Sequence, residues 1–185
     1  MTLTTDYPTE FDDNVVLTNH KHVRIRALRR CEERPIRELY ARLSPRTRYM
    51  RFFSPMPVLP DAVVRLLACV DYRRTLALLV EYDNGCGWEA IGLGSFGAVD
   101  DNDVEIALVV RDDWQRLRLG TELARRILQA AEDRGFHRFI ANVLSENVAV
   151  RRLLRHVGEI VSAKMIGGVS EIAFIRRSFS AISNS

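Results

Sequence analysis

One carboxylate stands inside the apolar run Val104–Val110, VEIALVV, at Glu105. Side chains alternate along a strand, so Asp103, Glu105, Ala107 and Val109 share a face. A carboxylate among apolar neighbours has its pKa raised toward the range of a general base. The alternative is a partly exposed strand residue paired with an arginine. Just beyond the run comes Gln115-Arg116-Leu117-Arg118-Leu119-Gly120, which opens an amphipathic helix. A helix N-terminus carries unpaired N–H groups and about half a positive charge, so it holds phosphate. The stretch is either such a cradle or an ordinary basic strand-to-helix turn. Asn147 precedes a further helix, where its side chain suits an N-cap.

These residues need elements to hold them. His22–Leu28 alternates apolar and basic residues as a half-buried strand does. Cys31–Leu43 reads as a helix with Pro35 near its start. Ser44 is an N-cap for a short second helix running to Phe53, and the prolines of Ser54–Pro60 break the chain. Asp61 is expected to cap a helix over Ala62–Cys69. Strands follow at Thr75–Tyr82, Trp88–Asp100 and Val104–Val110. Gly92, Gly94 and Gly97 in the middle one mark a bulge or close packing. The helix 118–134 carries Leu119, Leu123, Ile127 and Ala131 on one stripe and stops at Gly135. A strand at His137–Leu144, a helix at Glu146–Val157 ended by Gly158, and a hairpin through Gly167-Gly168 complete the chain.

With 185 residues, 47% hydrophobic and 28% charged, the chain suits one α/β domain. The acid-rich residues 1–19 read as a flexible leader, 20–178 as the domain and 179–185 as a flexible tail. No apolar run approaches the ~20 residues of a membrane span, and the N-terminus has no signal-peptide character, which points to the cytoplasm. Cys31, Cys69 and Cys86 form no C-x-x-C and have no partnering histidine, so no metal is expected. The net charge is +3, and its carriers are nearly all arginine, whose fork suits phosphates and carboxylates. No nucleic-acid motif or stacking platform accompanies the charge, so nucleic acid is not an expected partner.

Together VEIALVV, DDWQRLRLGTELARRIL, HRFIANVL and SENVAVRRLLRHVG resemble the core of the GNAT superfamily of acyl-CoA N-acyltransferases. That family's loop, Q/R-x-x-G-x-G/A, follows its fourth strand and opens a helix. Leu43–Phe53, LSPRTRYMRFF, is similar to the matching segment of the bacterial protein-lysine acetyltransferase branch. The resemblance implies a mixed, mostly antiparallel sheet of about seven strands with four or so helices on its two faces. The sheet should splay between the fourth strand, Val104–Val110, and the fifth, His137–Leu144.

The implied activity moves an acetyl group from acetyl-CoA to a primary amine by direct attack, with a protein lysine as first choice of acceptor. A small-molecule amine, or a silent acyl-CoA-binding or interaction module, are the alternatives, and a homodimer stays open. The resemblance gives Glu105 the general-base role and sets the backbone of Leu108, Val109 and Val110 against the pantetheine arm. An N–H near Leu108 should meet the oxyanion. The amides of Arg116, Arg118, Leu119, Gly120 and Thr121 surround the pyrophosphate, with Gln115 flanking. Asn147 would bond the pantetheine or an ordered water, and Arg48, Arg51, Phe52 and Phe53 would wall the acceptor. Two positions depart from the family: Leu154 stands where many members have a tyrosine acid, and Arg118 replaces the loop's first glycine. Arg118 is expected in ordinary helical geometry, pointing outward and adding a charge to the phosphate site.

Overall fold

Leu76, Leu78 and Val80 alternate with Ala77 and Leu79 along β3 (Thr75–Asp83), and all five are buried. A strand apolar on both faces needs cover on both, and it lies near the middle of a two-sided core. The computed structural model describes residues 6–177. Among them eight strands form one sheet in the order β1-β2-β3-β4-β5-β6-β8-β7. The remaining strands are β1 (Asp13–Val16), β2 (His22–Ala27), β4 (Trp88–Ala98), β5 (Asp103–Val110), β6 (Arg138–Leu144), β7 (Gly158–Ile166) and β8 (Val169–Arg176). α1 (Arg34–Ala41), α2 (Pro45–Phe52) and α3 (Asp61–Ala68) belong to one face, α4 (Leu119–Glu132) and α5 (Val148–Val157) to the other.

The eighth strand corrects the leader reading for residues 6–19; residues 1–5 lie outside the described residues. Asp13–Val16 pairs antiparallel with His22–Ile25, and Phe11 and Leu17 on either side are buried. The acids that gave the segment its leader character meet distant arginines instead: Asp12 bonds Arg24, and Asp13 bonds Arg126 at 2.7 Å. The expected tail, 179–185, lies outside the described residues.

Local signals place the helices. Ser44 accepts a bond from the Thr47 N–H and so caps α2. Pro60, not Asp61, occupies the N-cap of α3, and Asp61 instead meets Arg37 at 2.8 Å. In β4 the register slips opposite Val80/Glu81. A Cβ on Gly94 would lie 2.8 Å from Leu123 Cγ, so glycine there lets α4 close on the sheet. The glycine-punctuated strand is thus both bulged and closely packed.

The sheet is nearly divided in its middle. β4 and β5 pair along Ala98–Gly92 against Val104–Val110, but β5 meets β6, in parallel, only from Asp103↔Arg138 to Glu105↔Ile140. Beyond Glu105 the two strands part, and β6 continues against β8 alone. The expected splay falls here.

Candidate active site

The splay opens directly into the loop between β5 and α4. Trp114 anchors the loop's start, buried 4.7 Å from the Tyr82 ring, and the fully buried Leu119 anchors its end. Between them the backbone turns through two left-handed residues, Arg116 at φ 62° and Arg118 at φ 65°. Arg118 therefore does not adopt the ordinary helical geometry expected of it. It keeps the conformation natural to the glycine it replaces, because Leu119 must enter the core while the loop stays outside. Such a backbone costs a non-glycine residue about 1–2 kcal/mol and gathers successive N–H groups into an anion-binding concavity.

Among the described residues, none of the consecutive amides from Arg116 to Gly120 donates to a backbone carbonyl. Arg118, the N-cap of α4, places no side-chain bond on the helix start either. Thr121 N–H already bonds the Arg118 carbonyl at 3.0 Å, so it belongs to the helix rather than to the open donors. A Cβ on Gly120 would meet nothing within 4 Å, so packing does not demand glycine there. These donors, with the helix dipole behind them, fit a diphosphate.

Gln115 turns inward. Its amide donates to the Val110 carbonyl at 3.0 Å and reaches Thr47 Oγ1 at 3.4 Å. Thr47 belongs to a clasp that reading along the chain missed. Ser44 N–H and Oγ and Thr47 Oγ1 all donate to the carboxylate of Asp112, at 2.9, 2.7 and 2.7 Å. Burial works to raise the Asp112 pKa, but these donors outweigh it and hold the carboxyl below its ordinary value. The N-terminus of α2 is thereby tied to the loop that starts α4. The partners are 65 and 68 residues apart, and no local pattern announces them.

Glu105 sits where β5 leaves β6, but its side chain is exposed. This corrects the expectation of apolar surroundings, because the neighbouring strand departs just where cover would be needed. Asn142 Nδ2 of β6 donates to Glu105 Oε1 at 3.2 Å. Leu108, Val109 and Val110 follow along the parted edge, Leu108 half-buried and the other two buried. Asn147 caps α5, accepting the Val150 N–H at 3.2 Å. Leu154 is buried in the core, so this position offers no acid. Tyr72 is buried too, its hydroxyl bonded to the backbone of Arg30 and Leu28.

The expected acceptor wall is partly corrected. Arg48 is committed to the carbonyls of Tyr40, Ala41 and Pro57, and stacks over the Tyr40 ring at 4.7 Å. Phe53 ends α2 in a left-handed conformation and is exposed. Phe52, by contrast, lines a small, shallow hollow together with Arg51, Tyr40, Leu93, Ser95 and Val109. Burial lowers the Arg51 pKa, and the negative charge of Glu105 opposes that shift. Among the described residues no group of three or more His, Cys, Asp or Glu side chains could hold a metal, and no helix is long and apolar enough to cross a membrane.

Residues 25–159 match the acetyltransferase (GNAT) domain family. The chain is a GNAT acetyltransferase. It is 28% identical to acetyltransferase PA5475 of Pseudomonas aeruginosa over 143 residues, 77% of either chain. Its fold is similar to the GNAT domain of S. lividans PAT, with a TM-score of 0.81, 23% identity, and coverage of 92% of this chain and 99% of that one. It is also similar to yncA of Salmonella typhimurium, solved with its cofactor acetyl-CoA, with a TM-score of 0.61, 18% identity, and coverage of 88% and 98%.

The GNAT enzyme transfers acetyl from acetyl-CoA to an amine. The acetyl thioester supplies the electrophilic carbonyl.

Proposed function

We propose that the acceptor is a lysine side chain presented by a protein and that Glu105 removes its ammonium proton, directly or through one water. A protonated amine has no lone pair, so proton removal must precede attack. The observation carrying this reading is the exposed Glu105 carboxylate, set where β5 and β6 part and approachable from outside. Asn142, through its bond, keeps that carboxylate at the opening. The adjoining hollow is shallow and largely apolar-walled, so an acceptor there stays mostly outside the protein.

In this reading the open amides of Arg116–Gly120 hold the pyrophosphate of acetyl-CoA, and Gln115 braces the loop. The Leu108–Val110 edge aligns the pantetheine arm, with an amide near Leu108 stabilising the developing oxyanion. The Val110 carbonyl already accepts from Gln115, and Val109 is paired to Leu93 in the β4 ladder, so Leu108 offers the freer groups. Asn147, whose oxygen caps α5, retains its amide hydrogens for the arm or a bound water.

Glu105→Gln, assayed by thiol release with lysine peptides, should lower kcat about 100-fold or more, in line with general-base removal. Calorimetry should show unaltered acetyl-CoA affinity. Unchanged turnover would retire the base. Acetylation of free polyamines or amino acids with every protein and peptide refused would retire the protein acceptor.

A further inference from the structure

Arg51 is the odd cation of this face. It is half-buried in the wall of the hollow, yet among the described residues no hydrogen bond or ion pair engages its guanidinium. Its one defined neighbour is the ring of Phe52, 4.9 Å from the guanidinium carbon. Arg48, one helical turn back, is fully committed to backbone carbonyls. Arg42 and Arg111 share Glu89. Arg51 lines the hollow with no such partner among the described residues.

Withdrawing a cation from water without giving it an anion is costly. Glu105 is near enough for its charge to be felt at Arg51 but is not within ion-pair distance, and its oxygen takes the Asn142 amide instead. The two opposite charges thus lie within each other's field without forming an ion pair. Arg51 also repels any bare ammonium that approaches Glu105. An acceptor carrying a carboxylate near its amine removes that repulsion and matches both charges at once. Arginine suits the task, because its planar fork grips a carboxylate with two parallel bonds.

We propose that Arg51 reads a carboxylate carried beside the acceptor amine, so that the preferred acceptor is an amine with an acidic group next to it. The proposal rests on the acceptor side of the site as read above. The acidic group belongs either to a residue adjoining the target lysine or to a free amino acid, and both offer the same chemistry.

The test measures acetyl transfer to two matched pairs of acceptors, with wild type, Arg51→Gln and Arg51→Glu. One pair is the end-blocked peptides Ala-Lys-Glu-Ala and Ala-Lys-Gln-Ala; the other is alanine and alaninamide. A charge-assisted pair is worth about a 10- to 100-fold preference. Relative to Arg51→Gln, wild type should favour the carboxylate member by that factor, chiefly through acceptor KM. Arg51→Gln should bring the ratio close to that set by amine basicity, and Arg51→Glu should invert it. Acetyl-CoA affinity, measured alongside, reports that each variant is folded. A preference confined to the peptides identifies a flanking residue as the source, and one confined to alanine identifies a free amino acid. A ratio unmoved by Arg51→Gln overturns the proposal. If wild type acetylates none of the four, the acceptor reading of the preceding subsection fails. Calorimetric titration of the same four into enzyme saturated with coenzyme A then decides this proposal: Arg51-dependent binding of the carboxylate members upholds it, and its absence overturns it.

Discussion

Arg118→Gly should make the protein more stable while weakening its hold on acetyl-CoA. The native backbone at Arg118 has φ 65° and ψ 0°, which an L-residue adopts at a cost of about 1–2 kcal/mol and glycine adopts freely. Glycine's greater freedom in the unfolded chain takes back about 0.5–1 kcal/mol. The net gain is about 0.5–1 kcal/mol, or roughly 2 °C in Tm for a chain of this size. The Arg118 side chain is exposed, so its removal should cost the free protein little. Arg118→Ala keeps the left-handed strain and should show no such gain.

Both variants should lose acetyl-CoA affinity about fivefold at low salt, the worth of roughly 1 kcal/mol from one exposed charge contact. The loss should fade toward 1 M salt, where the Debye length falls to about 3 Å. Thermal melts with calorimetry across a salt series measure both effects. Equal melting of the alanine and glycine variants would refute the strain argument. Undiminished affinity in both would show that Arg118 contributes no charge to the phosphate site.

Gly94→Ala should destabilise the fold by about 1–3 kcal/mol, since its methyl would press on Leu123 Cγ at 2.8 Å, and chemical denaturation measures this. The Asp112 clasp should be acid-labile. A carboxyl held below its ordinary value contributes stability above the unfolded pKa of about 3.9, and that contribution is lost as pH falls through the lower folded value. Asp112→Asn should therefore flatten the acid limb of a stability–pH curve measured below about pH 5.

What was legible in the sequence was what local patterning encodes. The alternation of β3, the stripe of α4, the Ser44 cap and the glycine stops are written within a few residues of where they act. The splay was legible through the family resemblance, since nothing in VEIALVV itself says that its neighbour leaves after Glu105. The misread features were relations across the chain. Asp12 and Asp13 looked like solvated leader residues because Arg24 and Arg126 meet them only in the folded sheet. Glu105 looked buried because alternation reports a strand's own faces and is silent on missing cover. Arg48 and Arg51 are indistinguishable as sequence, yet α2 turns one onto the carbonyls beneath it and the other into the hollow. The Asp112 clasp needed three-dimensional proximity, and Arg118 needed a backbone angle that its side chain argues against.

The three-residue seam between β5 and β6 has a mechanical consequence. The strands before it and the strands after it are two half-sheets, and along the sheet itself only Asp103–Glu105 and Arg138–Ile140 join them. Helix α4 and the core beneath it do the rest of the fastening. An extended ligand bound along the freed edge of β5 acts as a splint across that joint, so occupancy and rigidity rise together. On the proposed placement of acetyl-CoA along that edge, turnover would alternate between a splinted molecule and a loosely seamed one.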